Sequence, residues 1–243
     1  MPMKKLSLKE ADDLALSFRT EYGIGNSQPF HAKTILRKLN ILTVYRPLSE
    51  DLHGLSLKSK DGKCFMLINS NRTRGHQHFT IAHELYHLFY EEHPIPHIDE
   101  ENEGMSRPIP EQNADAFASA LLLPSNAVKQ MIPEPELQQK KVSIATILKI
   151  EQFFSVSRKA LLNRMLKLKF ISQEQYDSFN GLPVKWSASA YGYDLSLYEP
   201  GNENLIIGDF GEKARLLFEN EKISEGHYHE LMQLIGYGEL RLY

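Results

Sequence analysis

His83-Glu84-Leu85-Tyr86-His87 sets two imidazoles four residues apart with a carboxylate beside the first. On a helix that spacing turns the side chains by about 40° and lifts them by about 6 Å, so both rings leave one face and can share an ion. Glu84 stands about 100° round from His83. From there its carboxylate flanks an ion and reaches a water held on it, which is the place of a general base. A catalytic zinc takes three protein ligands and leaves a fourth position to water. The third ligand must come from elsewhere, and Glu111 is the candidate: it opens a second helical stretch, with Asp115 four residues on along the same face. In that arrangement Glu111 ligates a single Zn2+ through oxygen. Asp115 accepts the free ring N–H of a ligand histidine, fixing its tautomer and raising its basicity. His, His and Glu suit zinc, while ligand type alone also admits manganese or iron.

Six of the ten histidines fall between His76 and His97. His76, His78, His93 and His97 are expected at the surface or in packing, since the ligand set is already complete. One of these, or Tyr86, Tyr90 or Arg107, is a candidate to stabilise an oxyanion. Glu91, Glu92, Asp99, Glu100, Glu101 and Glu103 read as a solvated acidic loop between the two helices, with Pro94, Pro96, Pro108 and Pro110 around it.

The elements that must position these groups are legible from capping and periodicity. Ser7 with Glu10 makes a capping box for a helix over 7–22, ended by Gly23 and Gly25. A short helix over 32–39 precedes a β-branched strand at 41–46. Runs at 52–57 and 64–68 flank the Asp61-Gly62 turn, and together these predict a small antiparallel sheet. Helical spacing returns over 75–90 and again over 111–123, stopped at Pro124. Ser143, Ser157 and Ser172 cap helices over 144–154, over 158–168 and from 172. A strand at 205–207 and a helix at 212–219 follow, in a stretch to which the sequence assigns no role.

Composition excludes several classes. Lys and Arg total 28 against 31 acidic residues, and a net charge of −3 offers no global field for nucleic acid or an anionic membrane. Cys64 is the only cysteine, so no internal disulfide forms and a reducing cytoplasm is the expected home. The first residues lack the apolar core of a signal peptide, and no run reaches the roughly 18 apolar residues of a membrane span.

The residues Phe79-Thr80-Ile81-Ala82-His83-Glu84-Leu85-Tyr86-His87 resemble the "RFTLAHELGH" of the ImmA/IrrE metallo-endopeptidases. Glu111-Gln112-Asn113-Ala114-Asp115-Ala116-Phe117-Ala118, running into Leu121-Leu122-Leu123-Pro124, is similar to that family's "E-x-E-A-D/N-x-F-A" followed by "LLMP". The resemblance covers the chain well to about residue 126 and more loosely to about 170. It implies a gluzincin-like fold with zinc on His83, His87 and Glu111 and the base on Glu84. Members typically cleave a nearby-encoded helix-turn-helix repressor of the XRE type, a step in transcription regulation that frees a mobile element or a stress response. Tyr86 stands where glycine is common and is expected to narrow the cleft; Leu123 stands where methionine is common. Some members carry an N-terminal helix-turn-helix domain, for which no room is expected before Ser7.

The chain thus reads as α+β. A mainly helical, zincin-like metallopeptidase domain with a small antiparallel sheet spans 1–133, a helical, helix-turn-helix-like unit 134–180, and a C-terminal region of unassigned role 181–243. Within the second unit, Phe154-Ser155-Val156-Ser157 resembles the family's turn, and Arg158, Lys159, Arg164, Lys167 and Lys169 make the following helix basic. Repressor docking or packing is favoured there over DNA contact. Two further readings stand beside proteolysis: a non-cleaving partner that sequesters the repressor or contacts DNA, and the toxin half of a toxin–antitoxin pair.

Overall fold

The computed structural model describes residues 4–91 and 107–235. Ser7 caps α1 (Leu8–Glu21) with both bonds of the capping box in place, and the helix buries Ala11, Ala15 and Phe18. α2 (Ala32–Lys38) leads into β1 (Leu42–Arg46), β2 (Gly54–Lys58) and β3 (Cys64–Asn69). Next come α3 (Arg74–Tyr90), α4 (Ile109–Leu122), α5 (Ser125–Met131) and α6 (Glu134–Gln139). Ser143, Ser157 and Ser172 each accept a backbone N–H at the starts of α7 (Ile144–Phe154), α8 (Arg158–Lys167) and α9 (Gln173–Asn180). α10 (Val184–Ala190), a single 3-10 turn at Ser196–Tyr198, β4 (Ile206–Ile207), α11 (Phe210–Glu219) and α12 (Glu225–Leu234) complete the described chain. None of these helices is long and apolar enough to cross a membrane.

The sheet is mixed rather than wholly antiparallel, in the order β2-β3-β1-β4. β2 and β3 pair antiparallel across the Asp61-Gly62 turn, where Gly62 takes a φ of +81°. The chain leaving β1 passes first to the outer position, so β3 returns into the space beside β1 and runs parallel to it, Leu42 opposite Phe65 through Arg46 opposite Asn69. β4 pairs antiparallel with the other side of β1. Burial alternates along β1, and Thr43, Tyr45, Met66 and Ile68 are buried. Residue 54 must be glycine for β2 to approach α3 this closely: a Cβ there would stand 2.6 Å from Thr80 Cγ2 and 2.9 Å from the Leu67 carbonyl.

One apolar core runs from Ala11 to Ile207 and takes in Val142, Ile147, Phe154, Leu161 and Met165, so α7 and α8 pack on the same core as the sheet. The C-terminal stretch is structurally tied to α3. Arg74 N donates to Glu199 O at 2.9 Å, Gln77 Nε2 to Gly201 O at 2.9 Å, and Asn202 Nδ2 to Gln77 Oε1 at 2.8 Å.

Aromatic rings join α1, α3 and α4. Phe117 meets Phe18 edge-on at 5.8 Å, Tyr90 at 5.2 Å and Tyr86 at 5.9 Å between centroids. These contacts set how α3 lies on α4. Phe117→Ala should therefore lower the unfolding free energy by about 3–5 kcal/mol, read from urea melts; a loss under about 1 kcal/mol would show that the ring cluster does not hold the helices.

Candidate metal centre

Among the described residues, α3 and α4 pack against each other more extensively than any other pair of elements. That contact brings His83 and His87, one turn apart on α3, to face Glu111 in the first turn of α4. His83 Nε2 lies 3.1 Å from Glu111 Oε2, His87 Nε2 lies 3.4 Å from Glu111 Oε1, and the two Nε2 atoms are 3.0 Å apart. All three side chains are buried, and among the described residues they form a group able to hold a metal ion. The donor set fits one: bonds of about 2.0–2.1 Å in a tetrahedral arrangement place ligand atoms about 3.3 Å from each other. Glu84 is buried next to this group, near enough for its charge to draw a proton onto His83.

The far side of each ring faces a carboxylate. His83 Nδ1 lies 3.0 Å from Asp115 Oδ1, and His87 Nδ1 lies 3.0 Å from Glu91 Oε2. A proton on each Nδ1 leaves each Nε2 lone pair directed at the common point, which is the tautomer a metal needs. In the metal-free protein, burial opposes charge on His83, yet its hydrogen bonds to Asp115 and Glu111 outweigh this and push its pKa up to about 10. Burial likewise resists ionisation of Glu111, but His83, His87 and Arg107 hold its carboxyl at about 2. Burial, reinforced by neighbouring His83, moves His87 below the usual imidazole range. In the metal-free centre a proton is thus favoured on His83 beside an ionised Glu111 and disfavoured on His87.

A model of a peptidase family, described as the IrrE N-terminal-like domain, matches residues 36–166, more than half of the chain. The chain belongs to the IrrE N-terminal-like family. No curated protein is similar enough to it to count as a match. The matched stretch holds both α3 and α4 and extends through most of α8, and the family is one of metallopeptidases.

In this IrrE-like chain the remaining candidates separate clearly. Arg107 is at the centre: Nη1 donates to Asp115 Oδ2 at 2.6 Å and Nη2 to Glu111 Oε2 at 3.5 Å, so it grips both carboxylates of α4. Tyr86 does not narrow a cleft. It is 5% exposed and its ring fills the aromatic cluster with Tyr90 and Phe117, because position 86 turns toward the core side of α3. His76 packs its ring, tilted, on His53 at 4.5 Å between centroids, and His78 Nδ1 meets the Ser155 carbonyl at 2.8 Å. His93, His97 and the acidic residues from Glu92 to Glu103 lie outside the described residues. Glu91, expected in a solvated loop, instead turns its side chain inward against His87. The signal that could have found it is its spacing, one helical step of four beyond His87.

The basic character of α8 is largely spent inside the fold. Arg158 pairs with Glu151, which also accepts from Tyr198 Oη at 2.8 Å, and Arg164 pairs with Asp12 and donates to Leu123 O at 3.0 Å. Both guanidiniums are buried, while Lys159, Lys167 and Lys169 remain at the surface. The start of α8 is also covered, since a Cβ on Gly75 would stand 2.9 Å from Ser157 N.

Metal uptake must displace the proton on His83. Calorimetry at pH 6.5 in buffers of different ionisation enthalpy should return about one proton released per ion, with affinity rising about tenfold per pH unit. Release of no proton would contradict the charged His83–Glu111 pair.

Proposed function

We propose that the chain is a zinc-dependent endopeptidase whose substrate is a helix-turn-helix transcriptional repressor of the XRE type encoded near it. The hydrolase reading rests on one observation, the convergence of His83 Nε2, His87 Nε2 and a Glu111 oxygen with Glu84 buried beside them. Two nitrogens and one carboxylate suit zinc better than calcium or magnesium, which take oxygen ligands. A zinc ion bound there supplies a Lewis acid for a peptide carbonyl and for water. Glu84 takes the proton of the attacking water and later passes it to the departing nitrogen, as the new O–C bond forms and the peptide C–N bond breaks. His83, oriented by Asp115, His87 and Glu111 would hold the ion, and Glu84 would act on the water rather than as a ligand. β2 is an edge of the sheet packed on α3, and its outward backbone groups can pair with an extended segment of a substrate chain.

The repressor as substrate is supported by the two motifs that resemble the ImmA/IrrE endopeptidases; cleavage would then release transcription of a mobile element or a stress response. A cytoplasmic setting agrees with Cys64 as the only cysteine. Direct DNA reading by α8 has less support, because Arg158 and Arg164 are held in buried ion pairs.

The test is incubation of the protein with the purified regulator encoded beside it, with fragments identified by mass spectrometry. The parent should yield two fragments from one cut. Glu84→Gln should bind zinc as the parent does and cut at least about 100-fold more slowly. Equal cutting by Glu84→Gln would remove the general base from the account, and release of intact repressor from its operator would favour sequestration over proteolysis.

A further inference from the structure

Glu91 ends α3 as its C-cap residue, with the backbone already extended at φ −97° and ψ 130°. Its side chain does not reach for water. It turns back along the helix, 4% exposed, and sets Oε2 3.0 Å from His87 Nδ1. Two physical terms oppose that position. A carboxylate removed from water loses hydration that only a close partner restores. The carbonyl end of a helix carries partial negative charge, which disfavours an anion in the last turn. A glutamate at a helix end has the length to leave the surface freely, so the buried placement needs a specific contact to hold it. Among the described residues, its carboxylate lies against the outer nitrogen of His87.

Residues 83, 87 and 91 succeed one another by four along α3, each step turning by about 40°. Glu91 therefore lies one turn beyond His87 on the side from which its ring is approached. Each ring thus faces a carboxylate at 3.0 Å, with Asp115 hydrogen-bonded to His83 and Glu91 set against His87. One carboxylate comes from the opposing helix and the other from the helix's own end.

We propose that Glu91 is a positioning residue for the metal centre: by accepting the Nδ1–H of His87 it fixes that ring's tautomer and angle and strengthens its Nε2 as a donor. This rests on the metal reading of His83, His87 and Glu111. Without Glu91, His87 divides between two tautomers and its ring is free to rotate, so fewer molecules present a competent donor at any moment. Removing such a partner typically weakens metal affinity by about 10–100-fold. The opposing terms give the proposal a distinctive signature: the contact serves the metal at the expense of the metal-free fold, so its removal should spare or raise metal-free stability.

The test uses the full chain as parent, Glu91→Gln and Glu91→Ala. Zinc affinity is read by competition with a chromophoric chelator, ligand-field strength by the visible spectrum of the cobalt(II) form, and metal-free stability by thermal melting in excess chelator. Glu91→Ala should lose about 10–100-fold in zinc affinity with an altered cobalt spectrum. Glu91→Gln, whose amide oxygen still accepts from Nδ1, should recover part of that loss. The metal-free melting temperature of both should equal or exceed that of the parent. Parent-like zinc affinity in Glu91→Ala would overturn the positioning role and leave the metal centre standing, as would a fall in metal-free stability with affinity unchanged. Failure of the parent itself to bind zinc, with His83→Ala behaving identically, would overturn the metal reading and this inference together.

Discussion

α3 supplies two ring nitrogens and α4 one carboxylate, and neither helix alone can complete a three-donor set. The packing of these two helices therefore governs everything that the centre can do. Phe117 on α4, wedged among Phe18, Tyr86 and Tyr90, fixes the approach with rings that interlock at 5–6 Å. His83, Glu84, His87 and Glu111 are buried at the seam, where a polar group left without a partner is costly. His83 lies between Glu111 and Asp115, Arg107 spans the same two carboxylates, and His87 faces Glu91. Geometry and electrostatics thus ask for the same arrangement of the two helices.

The rest of the fold holds α3 in place from other sides. β2 closes on Thr80 through the space that Gly54 leaves, just ahead of His83 and Glu84. The turn between α7 and α8 rests on the N-terminal half of α3, with Ser155 O meeting His78 and Ser157 N against Gly75. Residues 199–202 bind Arg74 and Gln77, and β4 then joins β1. A buried network of Glu151, Arg158, Ser187 and Tyr198 links α7, α8, α10 and the 3-10 turn that precedes that strap. The C-terminal stretch, silent in the sequence, is in this sense part of the support of the metal helix.

How much of this could be read beforehand follows from how local each signal is. Ser7, Ser143, Ser157 and Ser172 announce their helices because an N-cap bond spans only a few residues. The His83, Glu84, His87 pattern and the Glu111, Asp115 pair were visible as spacings, and the fold brings all five to one place. α4 ends before Pro124 as its sequence implies, but Pro124, Pro133 and Pro183 each also stand at the N-cap of a following short helix, where a fixed φ is no obstacle and the sequence carries no Ser or Thr cap to announce it. The parallel pairing of β1 and β3 depends on a crossover that no local pattern encodes. Tyr86 and Glu91 were misplaced for a related reason. Which side of α3 faces the core, and whether a glutamate at its end turns inward, are decided by what packs against the helix.

The central claim is that one ion sits between the two helices. Anomalous diffraction at the zinc edge, on crystals of the zinc-loaded protein, tests it most directly. A single peak should appear within about 2.0–2.2 Å of His83 Nε2, His87 Nε2 and a Glu111 oxygen, with the remaining position open to solvent. A peak bonded to other residues, or one that leaves Glu111 outside bonding distance, would contradict the account.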